Sequence, residues 1–422
     1  MSLAATITLS SLELTRFFFA MVLLLFTAHS FGFLFYEAKL PRVIGEIFGG
    51  LILGPTFLGY FAPPSVENWI FAAFPSEGAL ISVISYFGLV LLMFISGFEI
   101  QRSFSRQDRR IAISFLIGAT VIPFIIGVLT PYIYNFTPYS GPNGNTLSLA
   151  IIVGIGVSVT SIPVISKIFI DLRIMDTRFA KIVLAIATVE DVIQFGALAI
   201  ATGVGASASA SLSLVVLTAL VTVAFFAAAL LGLPRMIRYT IRSRFNILIK
   251  THPSRYALFL CFSLVAAASL LNVNIIFGAF LAGIAIGMMP EEVFTLAKAQ
   301  IKSISLALFT PIYFAVVGLK LDLIHSLDIF FFLGFLIFST ALKGGGALAV
   351  GRLTKQKRLA SLNLAIALNA RGGPGIVLAT VAFDLGLISE TFFVALVLTA
   401  IITSLIAGFW LRYVKKRGWD LL

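Results

Sequence analysis

Two adjacent carboxylates, Glu190 and Asp191, lie in the middle of a stretch that is otherwise apolar. The sequence IVLAIA precedes this region and GALAIA follows it, and both are apolar enough for lipid. Gln194 comes one helical turn after the acids and Thr188 one turn before Asp191, so a helix would carry them as a polar stripe. Placing a charged carboxylate in apolar surroundings costs free energy, so such residues mark candidate sites for binding protons or cations.

Lys343 is predicted to lie at the same depth as these acids. Asp191 is about 15 Å from Lys181 and Lys343 is about 14 Å from Arg352, at a helical rise of about 1.5 Å per residue. Both depths are near the middle of a hydrocarbon core about 30 Å thick. A charge there costs at least about 2.5–3.5 kcal/mol, so Lys343 is predicted to face inward and to pair with these acids. The glycines that follow the lysine would let another backbone approach it.

The composition indicates that these charges lie within a membrane. The chain of 422 residues is 59% hydrophobic and 11% charged, with a mean hydropathy of +1.07. Soluble domains carry about 25% charged residues. The single cysteine, Cys261, lies in an apolar stretch, which excludes a disulfide framework. The amino terminus lacks the basic region of a cleavable signal, so we expect the first apolar segment to be retained as a span.

Apolar runs long enough to span a bilayer occur along the whole chain. They predict an all-α membrane protein of about thirteen transmembrane helices, near 13–36, 41–60, 80–100, 109–134, 147–170, 179–203, 209–231, 256–272, 274–290, 303–321, 327–350, 359–386 and 389–412.

Basic residues predict the orientation of these helices. Lys and Arg are concentrated in alternate loops, at 102–110, 173–181, 235–255, 352–358 and 412–417. Four loops predicted on the opposite side contain neither residue, at 61–78, 135–146, 204–208 and 385–390. Positively charged loops stay in the cytoplasm, which predicts an outside amino terminus and a cytoplasmic carboxyl end in the cell (inner) membrane. The net charge of +12 then faces anionic lipid, and no nucleic-acid partner is expected.

A weak internal repeat predicts two halves of opposite orientation. Three short motifs recur in the same order, namely 43–54 with 275–287, 94–100 with 315–321, and 161–165 with 372–376. In the predicted topology the partners cross the membrane in opposite directions, as in transporters with inverted repeats. The predicted division is a first repeat at 1–203, a linker helix and basic inner loop at 204–255, and a second repeat with a short inner tail at 256–422.

The third pair of motifs predicts two broken helices. TSIPVIS contains Pro163, and NARGGPGIV contains Gly372, Gly373 and Pro374. Proline removes a backbone hydrogen bond and glycine weakens a helix, while unwound backbone within a membrane survives only beside a cavity or another buried polar group. Broken helices at corresponding places in two repeats point to an ion site near the midplane. A simple proline kink is the alternative.

These motifs resemble those of monovalent cation/proton antiporters of the second cation–proton antiporter superfamily, which includes bacterial sodium/proton antiporters. The resemblance rests on PRVIGEIFGGLILGP, GLVLLMFISGFEI, TSIPVISKIFIDL, ATVEDV, Lys343 and LNARGGPGIVLA, in the order of that family. It covers about residues 13–412.

The resemblance implies roles for several residues. Asp191 would bind a cation and a proton in turn, and Glu190 would occupy the position that pairs with the lysine. Thr160 and Ser161 would lie where the broken helices cross. Apart from the resemblance, Arg371 is expected to hold the broken helix or a carboxylate, and a direct role in transport is the alternative. The family also implies a homodimer and an elevator-like movement of a core domain.

This chain departs from the family pattern at two places. The acidic pair is Glu-Asp here, whereas family members have Asp-Asp, Asn-Asp or Gln-Asp. Gly373 and Pro374 follow Gly372, where many members carry an acid. The sequence also ends at Leu422, which leaves no room for the cytoplasmic nucleotide-binding domain of potassium-efflux relatives. A chain shortened from a longer protein would show the same ending.

The sequence therefore predicts a secondary antiporter that exchanges a monovalent cation for protons by an electrogenic cycle. Sodium is the first choice of cation. A potassium/proton antiporter is the alternative within the family, and a cation channel is an alternative outside it. An intramembrane aspartyl enzyme is disfavoured, because adjacent acids diverge by about 100° on one helix. We expect no enzymatic activity and no cofactor, and the expected partners are the transported sodium or potassium, protons and the lipid bilayer.

Overall fold

The computed structural model describes residues 10–61, 78–99, 106–205, 212–242 and 252–422. These residues form helices, which confirms the all-α class. Portions of the predicted loops at 61–78, 102–110, 204–208 and 235–255 lie outside the described residues.

The α-helices are named here in chain order. They are α1 (Ser11–Glu37), α2 (Arg42–Leu53), α3 (Leu58–Phe61), α4 (Gly78–Phe98), α5 (Arg106–Leu116), α6 (Ile122–Ile133), α7 (Thr146–Ser158), α8 (Ile162–Asp171), α9 (Arg178–Gly205), α10 (Leu212–Ala227), α11 (Leu233–Arg242), α12 (Pro253–Leu270), α13 (Ile275–Gly287), α14 (Glu291–Ile304), α15 (Thr310–Leu319), α16 (Ile329–Leu353), α17 (Arg358–Leu368), α18 (Gly372–Asp384) and α19 (Glu390–Lys416). Single π-helical turns join α5 to α6, α10 to α11 and α14 to α15, at Ile117–Val121, Ala228–Gly232 and Ser305–Phe309, and a short 3-10 helix covers Thr137–Tyr139.

The number of apolar helices in the structure agrees with the number of spans predicted from the sequence. Within the described residues, twelve segments are long and apolar enough to cross a membrane, and α13 is a further, shorter apolar helix. The prediction of about thirteen spans is therefore confirmed. The span predicted at 209–231 ends later than expected, because its helix continues through α11 to Arg242. α11 buries Ile237 while Met236 and Tyr239 stay exposed, so one face remains packed beyond the predicted end of the span.

The contacts divide the chain into two compact units. The first comprises Met1–Leu92 and Ser303–Ile324. In it, α1 and α2 approach closely because Gly45 has no side chain where the backbone of Phe31 lies. Small residues at a helix interface allow this approach.

The second unit comprises Met93–Lys302 and His325–Leu422, and it contains every residue predicted for the ion site. A buried apolar cluster that includes Phe169, Phe179 and Leu364 packs α8, α9 and α17 together. Side chains fix several helix starts in this unit. The Asp328 carboxylate, for example, accepts hydrogen bonds from the first backbone N–H groups of α16.

Glycine contacts within each unit follow the predicted repeat. In the first unit, a Cβ on Gly50 would meet the carbonyl oxygen of Ala315, and one on Gly318 would meet that of Ile47.

The second unit contains the counterpart of this pair of contacts. A Cβ on Gly283 would meet the carbonyl oxygen of Phe94, and one on Gly97 would meet that of Phe280. The repeat alignment relates Gly50 to Gly283 and Gly97 to Gly318, and it also relates Ala315 to Phe94 and Ile47 to Phe280. The same packing between repeat-related helices therefore occurs twice. The boundaries of the repeats at 203 and 255 remain a prediction.

Candidate functional site

The two acids project from the middle of α9 into the interior of the second unit. Glu190 is 0% exposed and Asp191 is 1% exposed, while Val189 and Ile193 on the opposite face are 43% and 36% exposed. The helix is long and contains many Ala and Leu residues, which have high helix propensity, and it stays intact around the acids. The acids are thereby held on the protein-facing side of a helix whose other side is apolar and exposed.

The first predicted break lies between α7 and α8. The helix ends at Ser158, residues 159–161 have no helical structure, and α8 begins at Ile162. The Ser161 hydroxyl accepts a hydrogen bond from Val164 N at 3.4 Å and thus caps the new helix. Pro163 lies in the first turn of α8, where its missing N–H would have no helical partner in any case. Pro163 therefore marks the restart of the helix after the break.

The second break lies between α17 and α18, at residues 369–371. Gly372 starts α18 with a φ of +28°, and its N–H donates to Ser404 Oγ at 3.0 Å. A Cβ on Gly372 would collide with the side chains of Val164 and Ser161. Gly373 and Pro374 follow as buried residues of the first turn. Only glycine at 372 therefore permits this approach to α8.

The two breaks meet directly. Ser161 N donates to Ala370 O at 2.6 Å, and Thr160 Oγ1 donates to Leu368 O at 2.5 Å. Backbone groups left unpaired by one break thus find partners in the other, as unwound backbone away from water requires. The structure brings Thr160 and Ser161 to this crossing.

Lys343 reaches the crossing and the acids from α16. Its ammonium donates to Ser158 O, to Thr160 Oγ1 at 2.7 Å and to Glu190, whose two carboxylate oxygens lie 3.3 and 3.4 Å away. Three donors therefore meet a carbonyl at the end of α7, a hydroxyl and a carboxylate. The Ser158 carbonyl is a favourable partner for a cation because the carboxyl end of a helix carries partial negative charge. The hydroxyl and the carboxylate offer the ammonium two further oxygen acceptors.

One of the three glycines after Lys343 produces a close approach. A Cβ on Gly346 would meet the carbonyl oxygen of Gly118, whereas Gly344 and Gly345 have no described atom within 4 Å of the Cβ position. Gly118 belongs to the π-helical turn Ile117–Val121. This approach brings α16 against the turn that carries Thr120.

Thr120 is a site residue that the sequence reasoning missed. Its hydroxyl donates to Glu190 Oε1, and its side chain is buried. π-Helical turns within α-helices are frequent at functional sites. Its sequence signal was a lone threonine beside a glycine in an apolar span, in IGATVIP.

Asp191 differs from Glu190 in having no hydrogen-bond partner among the described residues. Both of its carboxylate oxygens are buried, and neither accepts a hydrogen bond from any described residue. Gln194, on the same face, donates from Nε2 to Ser158 Oγ at 3.1 Å. A buried carboxylate without donors can be satisfied by a proton or by a cation.

Arg371 lies in the second break and is 1% exposed. Its guanidinium donates to Ser339 Oγ at 2.7 Å and to Val157 O at 3.3 Å. These bonds connect the second break to α16 and to the end of α7. Of the two expected roles, holding the broken helix matches these contacts.

Comparison with known proteins identifies a family and a fold. The model of the sodium/hydrogen exchanger transmembrane family matches residues 19–416. The K(+)/H(+) antiporter 1 of Saccharomyces cerevisiae is 28% identical over 94% of this chain, which spans 46% of that protein. The Na(+)/H(+)-K(+) antiporter GerN of Bacillus cereus is 27% identical over 94% of this chain and 96% of its own length.

A solved structure shows the same fold. The sodium/proton antiporter MjNhaP1 of Methanocaldococcus jannaschii superimposes with a TM-score of 0.65 and is 16% identical, over 94% of this chain and 97% of that one. At this identity the likeness establishes the arrangement of the helices.

Proposed function

We propose that this chain, which belongs to the sodium/hydrogen exchanger family, exchanges sodium ions for protons across a membrane by alternating access. The observation that carries the proposal is the buried Asp191 carboxylate, which no described residue satisfies, beside the paired Glu190 and Lys343. A single such carboxylate holds one ligand at a time, either a proton or a cation. Competition for Asp191 is then sufficient for exchange.

Glu190 and Lys343 have a different role in this proposal. Their contact offsets two buried charges, and Thr120 and Thr160 add hydrogen bonds to the pair. A cation at Asp191 adds a positive charge beside Lys343, which favours release of a proton from the ammonium. One cation would then exchange for two protons, one from Asp191 and one from Lys343.

Such a cycle moves one net charge. Moving one charge across the membrane is worth about 2.3 kcal/mol per 100 mV, so voltage alone would drive cation export. A one-for-one exchange, with Lys343 serving only the fold, would not respond to voltage. An imposed potential at equal pH on both sides of proteoliposomes distinguishes the two. Voltage-driven sodium flux is expected in the native protein and should be lost in Lys343→Gln.

The identity of the cation is tested by counterflow in proteoliposomes with a pH dye inside. Sodium, lithium and potassium are supplied one at a time, and sodium is expected to release the most protons from the lumen. Asp191→Asn should abolish exchange while the protein inserts and elutes as the native protein does, because an amide cannot exchange a proton for a cation. Native-level exchange by a folded Asn variant would refute the role of Asp191.

Potassium is the second candidate cation. The yeast relative is named a K(+)/H(+) antiporter and the Bacillus cereus relative a Na(+)/H(+)-K(+) antiporter. A larger response to potassium in the counterflow assay would support that reading. A cation conductance that persists without proton movement would instead support a channel.

The proposed setting is the cell (inner) membrane, with the amino terminus outside and the carboxyl end in the cytoplasm. The distribution of basic residues supports this orientation. We also propose a homodimer, as the family resemblance implies. Cross-linking in membranes followed by mass measurement of the solubilised protein tests it, and a monomer alone would contradict it.

A further inference from the structure

Gln194 lies one helical turn beyond Asp191 on α9 and is completely buried. Residues three apart on a helix are neighbours, with about 5–6 Å between their Cβ atoms. The exchange cycle proposed above uses Asp191 and leaves Gln194 without a role. A buried amide beside an ion-binding carboxylate requires an explanation for each of its polar atoms.

The hydrogen bonds of Ser158 determine how the amide of Gln194 is oriented. Ser158 Oγ donates its single proton to Gly154 O at 2.8 Å, so it can only accept from Gln194. In this arrangement the atom that faces Ser158 is the amide nitrogen, and Nε2 lies 3.1 Å from Ser158 Oγ. With the amide reversed, Ser158 Oγ would have to donate to Gln194 Oε1 and give up its bond to Gly154 O. Oε1 consequently faces away from Ser158.

Among the described residues, none donates a hydrogen bond to this oxygen. Gln194 Oε1 is buried and accepts no hydrogen bond within the described parts of the chain, and the same holds for both oxygens of Asp191. One stretch of α9 thus presents a carboxylate and a carbonyl oxygen that both lack donors. Hard cations such as those of the alkali and alkaline-earth groups take oxygen ligands of these two kinds.

We infer that Gln194 Oε1 is a second protein ligand of the transported cation, alongside the carboxylate of Asp191, and that Ser158 holds the amide in the binding orientation. The inference rests on the proposed function, since it concerns the same site. A neutral amide takes up no proton in the working range of the transporter, so Gln194 contributes to cation binding and leaves proton binding to Asp191. It therefore biases the competition at Asp191 toward the cation.

Two measurements on the full-length protein test this inference. The first is the half-saturating sodium concentration of exchange in proteoliposomes, and the second is sodium binding to the purified protein by calorimetry at fixed pH. Gln194→Leu, which removes both amide atoms at similar volume, should raise the half-saturating and dissociation constants about tenfold. Ser158→Ala keeps the carbonyl ligand but frees the amide, and a smaller increase is expected.

Matched controls separate a ligand from a structural residue. Thr403→Val removes a buried hydroxyl that bonds within its own helix, to Thr399 O at 2.8 Å, and should leave both constants unchanged. A ligand also discriminates among ions, so Gln194→Leu should change the ratio of sodium to potassium affinity. Loss of folding alone would lower the amount of active protein without changing that ratio. If the leucine variant does not fold, Gln194→Asn, which withdraws the oxygen but keeps an amide, replaces it.

The outcomes distinguish this inference from the proposed function. Exchange by the native protein together with unchanged sodium constants in Gln194→Leu overturns the inference and leaves the antiporter intact. Absence of exchange by the native protein overturns the proposed function, and calorimetry of the same variants still decides whether Gln194 binds the ion. Absence of sodium binding to the native protein overturns both.

Discussion

Lys343 directs its ammonium to three different kinds of acceptor. One is the carbonyl of Ser158 at the end of α7, one is the Thr160 hydroxyl and one is the Glu190 carboxylate. Both members of the Lys343–Glu190 ion pair are 0% exposed. Breaking a buried ion pair by removing one partner is strongly destabilising, because the other charge is left uncompensated. Each member of the pair is therefore expected to depend on the other for stability, and the pair is also a candidate part of the transport cycle.

A double-substitution cycle measures this coupling. Lys343→Gln should lower the free energy of unfolding by about 3–5 kcal/mol, because Glu190 is left charged and buried. Adding Glu190→Gln should recover a large part of that loss, since two neutral amides need no counter-charge. Denaturant unfolding of the purified protein gives the four values. A double variant no more stable than Lys343→Gln alone would show that the two residues do not act as a pair.

At the scale of helices, the crossing depends on two half-helices whose ends approach closely. Gly372 has a φ of +28°, and a Cβ there would collide with the side chains of Val164 and Ser161. Gly372→Ala is therefore expected to destabilise the protein by about 1–3 kcal/mol and to reduce exchange. Unfolding and transport measurements check both effects.

Gly334 provides the matched control for that substitution. It lies in α16, and no described atom is within 4 Å of its Cβ position. Gly334→Ala should leave stability unchanged or raise it slightly, because alanine favours a helix. Equal losses in the two variants would mean that glycine has no special role at 372.

Pro163 tests whether the extended segment between α7 and α8 shapes the site. Proline has no N–H to donate to the carbonyl four residues earlier, at Val159, and its ring clashes with that carbonyl, so a helix cannot run unbroken from α7 into α8. Pro163→Ala should raise the half-saturating cation concentration more than it changes stability, because residues 159–161 become free to join a helix. Pro131→Ala, in α6, is the control and should leave the transport constants unchanged. An unchanged constant in Pro163→Ala would remove the proline from the mechanism.

The orientation proposed for the whole molecule rests on its distribution of basic residues and can be measured with single cysteines. Cys261 is buried, and Cys261→Ser provides a background without reactive thiols. Pro138→Cys lies in a predicted outer loop and Lys416→Cys near the carboxyl end, and both positions are exposed. A membrane-impermeant maleimide should label Pro138→Cys in intact cells and Lys416→Cys only after permeabilisation. The reverse pattern would invert the topology.

Hydropathy and local chemistry were sufficient to predict much of this architecture. The apolar segments were predicted because each must remove its own backbone and side chains from water, a requirement visible in about twenty consecutive residues. The breaks were placed at 160–166 and 369–377, and the structure has them at 159–161 and 369–371. The difference arises because Pro163 and Gly372 begin the second half-helices. The spacing of polar residues likewise predicted the polar stripe on α9.

The sequence by itself determined that a lysine and two acids lie in apolar surroundings, because the penalty for a buried charge depends only on the neighbouring stretch. Only the tertiary structure decided which groups they meet. Thr120 contacts Glu190 from 70 residues away, and Arg371 contacts Val157 across 214 residues. Such contacts depend on how separate helices pack, which glycines such as Gly346 control through close approach. The spacing of residues along one helix does not indicate which helix packs against it. Only the packed structure therefore shows that no described residue donates a hydrogen bond to Asp191.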